Sequence, residues 1–253
     1  MLGVCRSCRR GLTSLCDNFN ELGTMEPGGF AEFAAVPKHL VHPAFGLETD
    51  EAAMVEPAGN GCQAAEKAYI QPGDRVAVIG PGPIGLLAMQ FAALYHPSVL
   101  ISLGTRDNRL ECAKKLGATH TVNVKETDAA EEVMQITSGL GVDQVINCAT
   151  TDASFELATK IAGKNSTIVM EGLSGTGNTV PIRMDDFVTG PTAIAGASGV
   201  HTRQYDVVID MIRAGRIDVK TLATHRFPLE EIETALDYMR NRRDEVIKII
   251  LRP

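Results

Sequence analysis

Val76-Ala77-Val78-Ile79-Gly80-Pro81-Gly82-Pro83-Ile84-Gly85 decides the fold. A β-branched apolar run leads into G-x-G-x-x-G, and an apolar stretch with helical character follows. In that context each glycine has a task. Gly80 permits the tight turn. Gly82 removes a side chain where a pyrophosphate would approach, and Gly85 lets the helix pack against the strand. Pro83 and Ile84 open the helix, whose first N–H groups and positive dipole end face the phosphates. The alternative, a glycine-rich turn without a ligand, does not account for strand, spacing and helix together.

Strands are expected over 75–79, 98–103, 120–124, 142–148, 167–171 and 192–196. Helices are expected over 83–95, 108–116, 129–138 and 153–161. This alternation points to a parallel α/β sheet with right-handed crossovers. Before it, residues 1–25 form an irregular cysteine-bearing lobe, 28–36 alternate as a strand, and 64–69 are helical. After it come helices over 203–214 and 229–241 and a last strand over 246–251.

The end of the second strand sets cofactor choice. A domain for NAD(H) carries an acid there to hold the ribose hydroxyls. Here Gly104-Thr105-Arg106 offers space, a hydrogen-bond donor and a cation that suits a 2′-phosphate. NADP(H) is therefore preferred over NAD(H). Asp107 leaves two alternatives open: it turns toward the ribose and favours NAD(H), or it caps the helix at Asn108. An exposed Arg106 without a ligand is the plain alternative to both.

Composition excludes other classes. The net charge is −7 and no basic cluster is present, which argues against nucleic acid and against an anionic membrane surface. The longest apolar stretch, about residues 84–95, is shorter than the ~20 residues a bilayer requires. No secretory signal pattern is present, so a cytoplasmic location is expected. Cys62, Cys112 and Cys148 stand in apolar contexts and read as reduced, buried residues.

Further motifs include Gly28-Gly29-Phe30-Ala31-Glu32, Val55-Glu56-Pro57, Pro72-Gly73-Asp74-Arg75-Val76, Ala113-Lys114-Lys115-Leu116-Gly117-Ala118 and Ala223-Thr224-His225-Arg226-Phe227-Pro228-Leu229. With the glycine fingerprint and the clustered cysteines, the chain resembles the zinc-containing medium-chain alcohol and polyol dehydrogenases nearly end to end. The resemblance implies an α/β fold: a doubly wound Rossmann sheet plus the remnant of a GroES-like catalytic domain. The expected division is 1–56 for the partial catalytic domain with its cysteine lobe, 57–198 for the dinucleotide domain, and 199–253 for the return segment.

The resemblance starts partway into the family pattern. No G-H-E segment occurs, so the Cys and His ligands of the catalytic zinc have no counterpart, and the chain reads as a truncated dehydrogenase. The missing part would leave apolar surface around Phe30 and Phe33 and on 220–253.

Cys5, Cys8 and Cys16 resemble the last three ligands of the family's structural zinc lobe. The position expected for the first ligand is Leu2, which cannot ligate. An open zinc site and a metal-free lobe of reduced thiols are both compatible with this pattern. Glu56 resembles the acidic residue at the polyol branch's catalytic zinc, and is the one expected catalytic residue. The expected cofactor contacts are Gly80, Gly82, Pro83, Ile84, Gly85, Gly104, Thr105, Arg106, Arg109, Cys148, Gly172 and Leu173. His39 and His42 are expected at the surface, and His225 in a structural role. The activity implied is hydride transfer between a secondary alcohol, polyol or matching ketone and the nicotinamide, with zinc as Lewis acid. A homo-oligomer, dimer or tetramer, is implied through the last Rossmann strand. The other reading is a non-catalytic dinucleotide-binding protein that acts through the cofactor or subunit association.

Overall fold

The computed structural model describes residues 4–173, 175, 179–182, 184–190 and 192–253. The chain forms two compact units, one of Asn60–Ser198 and one of Met1–Gly59 with Gly199–Pro253. Short helices α1 (Arg6–Arg9) and α2 (Thr49–Ala52) precede α3 (Val55–Lys67). Only 64–69 of that helix was expected from sequence, because Pro57, Gly59 and Gly61 mask its start.

The 60–198 unit alternates strictly. The elements run β1 (Arg75–Ile79), α4 (Pro83–Ala93), β2 (Val99–Gly104), α5 (Asp107–Lys115), β3 (His120–Asn123), α6 (Ala129–Ile136), β4 (Val142–Asn147), α7 (Asp152–Ile161), β5 (Ala162–Met170), α8 (Met184–Thr189) and β6 (Ala193–Gly196). All neighbours pair in parallel, in the order β3-β2-β1-β4-β5-β6. That order reverses between β1 and β4, and a ligand crevice opens at the carboxyl ends of strands flanking such a switch.

The central strands β1, β2 and β4 are buried on both faces, so their residues read as largely continuous apolar runs. Ala77, Ile79, Ile101, Leu103, Val145 and Ile168 form one core with Val133 of α6 and Ile161 of α7. Each large aliphatic side chain buried this way contributes about 1.5–3 kcal/mol. The end of the sheet away from the crevice is tied by charge. Arg75 Nε donates to Asp143 Oδ2 at 2.9 Å and Arg75 Nη2 to Oδ1 at 2.7 Å, and the Arg75 N–H donates to Oδ2 at 2.8 Å. This bidentate pair holds the Asp143 carboxyl below its usual range.

The other unit contains α9 (Thr202–Arg213), β7 (Ala223–Pro228), α10 (Ile232–Asn241) and β8 (Lys248–Arg252). Strands β7 and β8 pair in parallel. Arg226 and Arg252, one from each strand, both donate to the buried carboxylate of Asp50 on α2. Neither the role of Asp50 nor the strand at 223–228 is marked by a local sequence pattern.

Two expectations fail here. Residues 28–36 are not a strand, and Phe30 and Phe33 are 73% and 90% exposed. Among the described residues no neighbouring strand supplies ladder partners, so alternation alone does not make β-structure. His42 is not a free surface residue. Its ring stacks on Tyr205 at 4.5 Å between centroids and its Nδ1 lies 3.6 Å from Asp206 Oδ1. His39 is exposed as expected, and His225 packs against Tyr238 at 4.9 Å.

Candidate functional site

The turn from β1 into α4 is built by close backbone approach. Gly80 has φ +89°, a left-handed value that side chains disfavour, and a Cβ there would lie 2.9 Å from the Ala149 nitrogen. A Cβ on Gly85 would lie 2.1 Å from the Gly80 carbonyl oxygen. These glycines exist for packing. Gly82 differs: among the described residues beyond its chain neighbours, the one atom within 4 Å of its Cβ position is Arg109 Nη1, at 3.7 Å. Its missing side chain leaves an open cradle in front of α4, next to a cation. Gly82 is the N-cap and Pro83 the first helical residue, where a missing N–H costs nothing. The N–H groups of Ile84 and Gly85 belong to the first turn, which has no intrahelical acceptors of its own.

Across the crevice, Asn147 at the end of β4 is fully buried. Its Nδ2 donates to Ser154 Oγ at 3.2 Å, and its Oδ1 accepts from the Ala149 N–H at 3.1 Å. Asn147 thus fixes the strand end that carries Cys148, and sequence reasoning missed it. Cys148 is half-buried, and burial followed by the charge of Glu171 raises its thiol pKa. That favours a neutral thiol and argues against a nucleophile. Gly172 abuts the same turn, since a Cβ there would lie 2.5 Å from the Ala149 carbonyl oxygen, while Leu173 is 87% exposed.

The end of β2 corrects one expectation and refines another. Gly104 does not leave room for a ribose: its Cβ position is 2.5 Å from Pro81 Cγ, so the space is filled by the proline ring. Thr105 is exposed and Arg106 half-buried at the mouth of the crevice. The N-cap of α5 is Arg106, without a side-chain capping bond. Asp107 is therefore the first helical residue and not the cap. Its Oδ1 accepts from Asn123 Nδ2 at 2.8 Å. The residues present fit a dinucleotide: a cradle at a helix start bordered by Arg109, and a β2 end that carries Gly104 in place of an acid and is followed by Thr105 and Arg106.

The cysteine lobe also converges. Cys5 caps α1, and the Cys8 N–H donates to Cys5 Sγ at 3.4 Å. The ligand atoms of Cys5, Cys8 and Cys16 all lie within 4.8 Å of one another. Hydrogen bonds from the backbone at Cys8 and Asp17 pull the Cys5 thiol down to about 7. A hydrogen bond with Cys16, then burial, pushes the Cys8 thiol up to about 11. Three sulfurs in this arrangement fit a zinc ion. The Leu2 position lies outside the described residues. Glu56 stands exposed in the first turn of α3. Among the described residues, the cysteine trio is the only group of three or more metal-ligating side chains, and Glu56 does not belong to it. Glu56 alone does not fit a catalytic zinc.

The sequence pattern described as zinc-binding dehydrogenase matches residues 83–214. The sorbitol dehydrogenase of Bacillus subtilis is 30% identical over 253 residues, which is 99% of this chain and 71% of that protein. The chain belongs to the zinc-binding dehydrogenase family. An alcohol dehydrogenase of Cupriavidus necator is 35% identical over 91% of this chain, which spans only 64% of that relative. Two solved structures superpose with a TM-score of 0.91 over 99% of this chain, and the chain covers 73% and 74% of their lengths. One, 28% identical, is an NADP-bound protein assigned to the zinc-binding dehydrogenases of Sinorhizobium meliloti 1021. The other, 26% identical, is described as a short chain alcohol dehydrogenase of Escherichia coli CFT073 in complex with NADH. Both cofactors occur among the relatives, so this chain's own residues must decide between them.

Proposed function

We propose that this chain binds NADP(H) in preference to NAD(H) and belongs to an oxidoreductase that moves hydride between a secondary alcohol or polyol, or the matching ketone, and that cofactor. The observation that carries the reading is the Cβ position of Gly82, which among the described residues beyond its chain neighbours meets just the Arg109 guanidinium, at the switch between β1 and β4. The dinucleotide supplies the redox chemistry when bound. The chain's own residues bind and orient it. The first turn of α4 and Arg109 hold the pyrophosphate, and Gly80 and Gly85 keep the backbone close enough for that contact. Thr105 and Arg106 take the 2′-phosphate. Ile84, Cys148, Gly172 and Leu173 line the remaining path, with Asn147 fixing the turn that carries Cys148. Gly104 contributes by seating Pro81.

Residues 1–56 and 199–253 read as part of a GroES-like domain, in which Cys5, Cys8 and Cys16 hold zinc in a structural role. The exposed Ile194 on edge strand β6 suits pairing with a second copy of the chain. No helix among the described residues is long and apolar enough to cross a membrane.

A second reading is favoured by the place of Glu56 outside the cysteine trio, the one group of three or more metal-ligating side chains among the described residues. In it the chain binds NADP(H) without catalysis. Elemental analysis and turnover with NADP⁺ on a panel of secondary alcohols separate the two. Turnover that scales with zinc beyond the amount removed by Cys8→Ser supports the enzyme. Tight NADPH binding with no turnover on any alcohol or ketone supports the second reading.

A further inference from the structure

We infer that Asn123 is a specificity-determining positioning residue: it holds the Asp107 carboxylate against β3, away from the place where a 2′-phosphate meets Arg106. This rests on the reading of the crevice as a site for NADP(H). Asp107 follows Arg106 directly and is exposed at the first position of α5. Left to itself there, a carboxylate has a choice. It can lean toward the strand ends, accept from ribose hydroxyls and repel a dianionic phosphate, or it can be drawn aside.

The geometry draws it aside. Asn123 ends β3 and sits opposite Gly104 in the β2–β3 register. Gly104 is covered by Pro81 on its β1 side, so the cofactor turn and Asn123 flank the end of β2 from opposite directions. Asn123 Nδ2 donates to Asp107 Oδ1 at 2.8 Å and to Glu126 Oε1 at 3.0 Å. Its Oδ1 accepts from the Lys125 N–H at 3.1 Å, which fixes which end of the amide points at the acid. One amide group thus gathers two carboxylates on the β3 side. Both are kept from the face where Thr105 and Arg106 meet the nucleotide.

The experiment is a titration of the full chain with NADPH and with NADH, followed by nucleotide fluorescence, at one fixed low ionic strength. The proteins are wild type, Asn123→Ala, Asp107→Asn and the double variant. The readout is the ratio of the two dissociation constants, which a general loss of stability does not move in one direction. Asn123→Ala is expected to lower the preference for NADPH about threefold to fivefold, the size expected for an exposed charge contact. Adding Asp107→Asn to it is expected to restore the ratio. If the alanine variant fails to fold, Asn123→Ser replaces it, because its hydroxyl still accepts from the Lys125 N–H.

An unchanged ratio in Asn123→Ala overturns the inference. So does a lowered ratio that Asp107→Asn does not restore, since the effect then runs through the turn and not through the acid. The NADP(H) reading is tested separately by the wild type. If wild type prefers NADH, that reading fails, while the shift between wild type and Asn123→Ala still decides the role of Asn123.

Discussion

Residues 76–85 and residues 28–36 carry similar patterns, glycines beside alternating or continuous apolar residues, and meet opposite fates. The first becomes a strand, a turn and a helix in which nearly every atom is constrained. Gly80 N–H donates to the Leu103 carbonyl at 2.8 Å and Cys148 N–H to the Ile79 carbonyl at 2.9 Å. The second becomes irregular chain with two exposed phenylalanines. The difference lies in the neighbours. β1 has β2 and β4 on its flanks to accept its ladder bonds, and 28–36 has no such strand among the described residues. A local pattern becomes structure where tertiary partners complete it.

The largest effect should come from Gly85→Ala. Its new Cβ would press on the Gly80 carbonyl oxygen, and backbone cannot yield as a flexible side chain does. A loss of about 3 kcal/mol is expected, at the upper end for overpacking. Denaturant unfolding of the variant checks it, and a melt equal to wild type would break the claim that this turn is fixed by contact.

Arg75→Ala comes next. It strips a half-buried carboxylate of a bidentate partner and should cost about 1–2 kcal/mol. The pair also sets an acid limit. Because the folded Asp143 pKa is depressed, its contribution is fully present above the unfolded carboxyl value. It is lost as pH falls through the lower folded value. Wild type should therefore lose stability below about pH 4 more steeply than Arg75→Ala does. Parallel acid titrations of both proteins measure this.

Gly82→Ala should leave the melting temperature near that of wild type, since its Cβ would meet Arg109 Nη1 at an ordinary contact distance of 3.7 Å. It should weaken NADPH binding by about tenfold or more, the loss of one to two good phosphate contacts. Equal loss of stability and binding would place Gly82 with Gly85 as a packing residue. The smallest effect belongs to the other region. Phe33→Ser should change stability by less than about 0.5 kcal/mol, as for a surface substitution, and should reduce light scattering on heating. A larger destabilisation would mean that 28–36 is anchored after all.

The same contrast explains what was legible in the sequence. The sheet was readable because its strands are short apolar runs between turn residues, and the β1–α4 turn because each glycine answers a geometric need. The start of α3 was hidden by Pro57, Gly59 and Gly61. Strand β7 was hidden because Ala223-Thr224-His225-Arg226-Phe227-Pro228 is polar, and it pairs with β8 across more than twenty intervening residues. Asp50 and Asn147 act through partners that only the fold assembles. Gly104 was misread because the absence of a side chain does not tell whether the space is empty or already filled, here by Pro81.

The dinucleotide cradle we propose needs nothing beyond this chain and suits a 2′-phosphate. The direct test is equilibrium titration of the purified chain with NADPH and NADH under identical conditions, with Arg106→Ala in parallel. One site per chain is expected, with tighter binding of NADPH, and Arg106→Ala should lose about tenfold for NADPH while NADH is little changed. Tighter binding of NADH, or no binding of either nucleotide, would contradict this proposal.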